Sequence, residues 1–143
     1  MKYKLKQIKW WFQKRIRGYS DADLWSLDYF LADFLHKIMS SYIAYPKSGY
    51  PAQFETPEEW DAILLKIKDG FKAAVDLTNE NYIDNYITGY RDEEAHCTDG
   101  STFIMHDMPI LDIGGIKKKE SELKDTFNTG MDLFKEYFFG LWD

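Results

Sequence analysis

Apolar residues recur at helical spacing through most of the chain. Leu5, Ile8, Phe12 and Ile16 form one narrow stripe, and Gly18 follows where a helix C-terminal cap belongs. Ser20 with Asp23 three residues on is an Asp variant of the capping box, and it predicts a second helix over about 21–43. Its wide apolar face is Leu24, Leu27, Leu31, Phe34, Leu35, Ile38 and Tyr42. Pro46 and Pro51 then hold an extended loop containing Ser48, Gly49 and Tyr50. The clearest start comes next: Thr56 as cap, Pro57 in the first helical position, and Glu59 completing a capping box. Trp60, Ile63, Leu64, Ile67, Phe71, Ala74 and Val75 form the buried stripe of this third helix.

A short helix near 80–88 aligns Tyr82, Tyr86 and Tyr90, with Gly89 at its end. Residues 91–116 hold three glycines and Pro109 and show little helical period, so they read as one long irregular loop. Only Thr102–Met105 looks like a strand there. A last helix over about 120–141 lines up Leu123, Phe127, Met131, Phe134, Tyr137, Phe138 and Leu141. These elements predict a mainly α protein, a helical bundle of four to five helices in a single domain over 1–143, with the irregular loop at about 91–116.

The apolar surplus exceeds what one core needs. Trp25, Tyr29, His36 and Ile43 fall on a second face of the second helix, which makes that helix central or part of a subunit interface. His36 reads as a hydrogen-bonded core histidine. The aromatic end, Phe138-Phe139-Gly140-Leu141-Trp142-Asp143, reads as docked on the helices or across an interface. Together these features predict a homodimer or higher homo-oligomer.

Charge is divided unevenly. The first seventeen residues hold seven of the chain's 18 basic residues and no acid, so the remainder carries 11 basic against 24 acidic residues. A basic segment beside such an acidic remainder meets something anionic, either its own chain or a ligand. The overall charge of −6 disfavours general nucleic-acid binding. No apolar run approaches the ~20 residues that span a bilayer, and the basic start lacks the apolar stretch of a secretory signal. Cys97, the single cysteine, excludes an internal disulfide. The expectation is a protein of the cytoplasm.

On a helical wheel, Tyr3, Lys6, Trp10, Lys14 and Arg17 lie opposite the first stripe. A tryptophan ringed by cations suits stacking of a base and holding of phosphate. The alternative is that this face packs on the acidic remainder or on a second subunit. The candidate ligand-binding set is Trp10, Lys14, Arg15, Arg17, Trp25, Asp28 and Tyr29. Trp10, Trp25 and Tyr29 would wall the ring, and Lys14, Arg15 and Arg17 would hold the anion. Asp28 would pair with an arginine or orient a ribose hydroxyl. Asp21 and Asp23 read as first-turn acids favoured by the helix dipole.

No catalytic signature is present: GxSxG, HExxH, the Walker spacing and the dinucleotide fingerprint are all missing. His96, Cys97, His106, Asp107 and Asp112 are metal-ligand types, but their spacing fits no zinc signature, and neither a metal nor a cofactor is expected. Gly114-Gly115-Ile116-Lys117-Lys118-Lys119 reads as a solvated turn before the last helix, although backbone amides and lysines there suit an anion.

The stretch 11–29 (WFQKRIRGYSDADLWSLDY), Gly-Tyr-Pro at 49–51, Thr-Pro-Glu-Glu-Trp-Asp at 56–61 and the ending 133–143 (LFKEYFFGLWD) together resemble a family of small uncharacterised proteins of tailed bacteriophages. The resemblance covers roughly half the chain and leaves 91–116 outside it. It implies a phage accessory protein acting in the bacterial host cytoplasm, a setting shared with small phage proteins that sequester nucleotide immune signals without cleaving them. The leading expectation is therefore a non-enzymatic sponge for a small anionic, nucleotide-type ligand. The alternatives are a protein-binding inhibitor or accessory subunit acting on a host or phage protein, and a metal-dependent hydrolase.

Overall fold

The computed structural model describes residues 2–46 and 49–141, with side chains from residue 4 onward. The side chain of Tyr3, Ser48 of the proline-held loop, and Trp142 and Asp143 of the aromatic end lie outside the described residues. The elements in order are α1 (Lys2–Arg17), α2 (Leu27–Ala44), α3 (Pro57–Asn79), a 3-10 turn (Asn81–Tyr86), strands β1 (Ile87–His96) and β2 (Thr102–Leu111), α4 (Ile113–Tyr137) and a closing 3-10 turn (Phe138–Gly140). The protein is mainly helical, with one small antiparallel sheet.

α3 is the central element and packs against both α2 and α4. Its start is set as its residues dictate. Thr56 Oγ1 accepts from the Glu59 amide at 3.3 Å, and Glu59 reaches back to accept from the Glu55 amide at 3.0 Å. From there Trp60, Leu64, Ile67 and Phe71 run down the buried face and form the core with Met39 of α2. Trp60 is 1% exposed and sits in an aromatic cluster with Phe54 and Tyr137. Of the stripe expected on α3, Trp60, Leu64, Ile67, Phe71 and Val75 are buried, while Ile63 and Ala74 are half-buried.

The crossing of α3 and α4 rests on two glycines. A Cβ on Gly70 would lie 2.7 Å from the Gly130 Cα, and one on Gly130 would lie 2.6 Å from the Gly70 Cα. The helix backbones therefore touch with no side chain between them. Gly70 sits mid-helix, where glycine costs roughly 1 kcal/mol of helix propensity, and the close approach accounts for it.

Three expectations are corrected. First, residues 91–116 are not one irregular loop. They continue β1, turn at 97–101, form β2 and enter α4. The strand expected at 102–105 is the start of β2, but the rest of the hairpin escaped detection because a lone two-stranded ribbon buries neither face well. Its exposure pattern does not alternate cleanly, so no period of two is written into the residues. Second, α4 begins at Ile113, not near Glu120. Asp112 caps it by accepting from the Gly115 amide at 3.0 Å. Gly114 and Gly115 thus belong to the first helical turn, and a Cβ on Gly115 would lie 2.7 Å from the Tyr86 ring.

Third, the Leu5-Ile8-Phe12-Ile16 stripe is not core. All four side chains are exposed, Ile16 at 81%. α2 likewise begins at Leu27, after turns over 21–26, and turns Leu27, Leu31, Phe34 and Ile38 outward. Its buried seam is Ala32 and Met39. Period alone locates a helix's apolar stripe but not what covers it.

Replacing Gly130 with alanine should lower the melting temperature by several degrees, for a cost of ~1–3 kcal/mol or more from backbone overpacking. Gly49→Ala, where a Cβ meets nothing within 4 Å, should leave melting unchanged. Thermal denaturation followed by circular dichroism compares the two.

Candidate ligand-binding cleft

Gly18 (φ 79°) ends α1 and reverses the chain, so that residues 20–25 run back beside the polar side of the helix. Two carboxylates then hold it. Asp21 Oδ2 accepts from Gln13 Nε2 at 2.8 Å, while the Asp21 amide donates to Gln13 Oε1 at 2.9 Å. Lys9 reaches Asp21 at 2.9 Å, and Arg17 at 2.8 Å. Lys14 meets Asp23 at 3.0 Å. Asp23 also accepts from the backbone amide and hydroxyl of Ser20, at 2.7 and 2.8 Å, and Ser20 is fully buried. Ser20 and Asp23 do cap a turn as their spacing predicts, but a 20–26 turn rather than an α-helix.

These contacts set the protonation of the clamp. Hydrogen bonds from Gln13, Lys9 and Arg17 hold the Asp21 carboxyl well below the usual carboxylate range. At Asp23 burial works against the charge, but the Ser20 and Lys14 contacts outweigh it and the pKa is lowered.

The reversal brings Trp25 up to Trp10. With Lys6, Lys9 and Ala22 the two indoles line an open cleft of about 520 Å³. Trp10 is half-buried, whereas Trp25 is 92% exposed. Lys6 takes part in no ion pair among the described residues. Around the cleft, Lys9, Lys14 and Arg17 face two carboxylates, which leaves one positive charge, and Lys6 adds another. Two rings and a net positive rim suit a planar anion.

The structure therefore brings together two members of the expected set, Trp10 and Trp25. Lys14 and Arg17 are tied to Asp23 and Asp21, and Arg17 also lies 5.0 Å over the Tyr19 ring. Arg15 is exposed and does not line the cleft. Asp28 pairs with neither Arg15 nor Arg17; it lines a separate groove between α2, α3 and α4. Tyr29 stands exposed on α2, outside the cleft. Lys9 was the residue missed. Its signal lay in the turn, because Gly18 followed by Asp21 places an acid opposite the helix's cations.

Elsewhere, His106 Nδ1 lies 2.9 Å from Asp92, and the Asp107 amide donates to the same carboxylate at 3.2 Å. This pair pins a bulge where Asp107 takes a positive φ of 57°. Among the described residues no group of three or more His, Cys, Asp or Glu side chains is arranged to hold a metal. Among them, too, no helix is long and apolar enough to cross a membrane. Comparison with protein-family models, curated proteins and solved structures finds no match to the chain.

Both clamp carboxylates have depressed pKa values, so their stabilisation is complete at neutral pH. It fades as pH falls below the unfolded value of 3.8 and is lost on approach to the native values beneath it. Acidification from pH 7 to pH 2 should therefore loosen the hold of the 20–25 turn on α1, with Asp21 the last contact to go. Tryptophan emission, compared between the wild type and Trp25→Phe, reports the loosening. Asp21→Asn should show the loosened signal already at pH 7.

Proposed function

We propose that the protein is a non-enzymatic binding protein that captures a small anionic ligand carrying a planar ring, of nucleotide type, between Trp10 and Trp25. The observation that carries this reading is Trp25 itself. A turn tethered by Asp21 and Asp23 presents its indole almost wholly to solvent, across from a second tryptophan and beside two lysines. Exposing an indole forgoes its burial free energy, roughly 1.5–3 kcal/mol for a large apolar side chain. Stacking a ring on it recovers that area. Lys6 and Lys9 neutralise the anionic part, while Arg17 and Lys14 act one step back by fixing the turn that carries Trp25.

The resemblance to tailed-phage proteins supports a setting in the infected bacterial cell. There a phage-encoded sponge lowers the free concentration of a nucleotide immune signal by mass action, without cleaving it. The second reading is a protein-binding inhibitor or accessory subunit, and the exposed apolar stripe of α1 favours it.

Trp25→Ala should weaken ligand binding by roughly tenfold or more, since base–aromatic stacking is worth ~1–3 kcal/mol. Its melting temperature should stay within about a degree of the wild type, because little packing is lost. A thermal-shift and fluorescence titration with mono-, di- and cyclic oligonucleotides provides the measurement. No binding across that panel, with phage protection intact in Trp25→Ala, would transfer the function to the protein-binding reading.

A further inference from the structure

Two apolar surfaces of this chain lie open at once. One is the α1 stripe, Leu5, Ile8, Phe12 and Ile16, on the side of the helix away from the clamp. The other is a groove of about 390 Å³ between α2, α3 and α4, lined chiefly by Leu31, Leu35, Phe71, Phe127, Met131 and Phe134. The outward stripe of α2, Leu27, Leu31, Phe34 and Ile38, shares Leu31 with that groove and extends it. Exposed apolar area on this scale marks a binding surface.

We propose that these two surfaces are partners across a dimer, with α1 of each copy seated in the α2–α3–α4 groove of a second copy of this chain. Three observations select that occupant. α1 is presented outward, since its polar side is held by Asp21 and Asp23 and it makes no extensive contact with another element of its own chain. The lengths match. Leu5 to Ile16 and Leu27 to Ile38 each span twelve residues, roughly 16 Å of helix from first to last, and both carry anchors at the spacing of helix-in-groove recognition. The charges match as well. α1 carries seven cations and no acid, the remainder of the chain has a surplus of 13 negative charges, and among the described residues the groove's one charged lining residue is Asp28. Two α1 stripes facing each other would set cation against cation, whereas a stripe on the acidic body does the reverse. The exchange is reciprocal, so it closes as a two-fold dimer. It leaves the Trp10–Trp25 side of α1 open.

Light scattering after size-exclusion chromatography tests this on the full chain at micromolar concentrations. The wild type should be a dimer. Phe12→Glu and Leu31→Glu alter exposed residues, so helicity by circular dichroism should hold while each becomes monomeric. Mixing the two variants is the decisive arm. Phe12→Glu keeps a sound groove and Leu31→Glu a sound α1, so together they should re-form a dimer with one intact seat, weaker than the wild type. A wild type that stays monomeric overturns the proposal and leaves the groove to another protein. Variants that remain dimeric overturn it too. Variants that are monomeric alone and also when mixed overturn it as well.

Discussion

Two helix backbones in contact at Gly70 and Gly130 set the geometry of this molecule. Because no side chain separates them, the angle and register of α3 against α4 have little freedom. The aromatic core packs around that crossing, with Trp60 and Tyr137 toward one end and Phe71 against Phe134 nearer the glycines. The other end of α4 is fixed in turn by Asp112 and by Tyr86, whose ring leaves Gly115 no room for a Cβ. The hairpin leaves from this point, so its position follows from the helix crossing.

α1 obeys a different logic. The body holds together by burying apolar surface, whereas α1 is held to the chain through polar contacts, many of them partly exposed. Exposed ion pairs contribute little individually and weaken with salt. The shared carboxylate of Asp21 compensates in part by joining Gln13, Lys9 and Arg17 in one network. α1 is still the element with least to lose on opening, and local opening of this kind is typical of segments that engage partners.

What could be read from the residues divides along physical lines. The α3 start was legible because caps and Pro57 are local chemistry, and its buried stripe because α3 has neighbours on both sides. The stripes of α1 and α2 were legible as stripes but not as surface, since amphipathicity is the same whether the cover is the same chain or another. Beyond the 102–105 segment of β2 the hairpin was illegible because its residues do not alternate, and its bulge depends on the distant pairing of Asp92 with His106 and Asp107. Within the cleft, Trp10 announced itself by sitting among cations. Trp25 was legible as apolar surplus on a second helix face, whereas Lys9 needed the reversal at Gly18, a consequence of one positive φ.

The hairpin has one further consequence. Among the described residues it has two strands, and each offers an outer edge whose amides and carbonyls pair with no third strand there. Such edges recruit strands from other molecules unless something discourages it. Here the discouragement is electrostatic: Asp92, Glu93 and Glu94 follow one another on β1, near exposed Tyr90, and Glu94 stands opposite exposed Ile104 on β2. A guard made of charge reaches only as far as the ions in solution allow, about 8 Å in physiological salt. How far these edges are open to other strands therefore depends on the ionic strength around them.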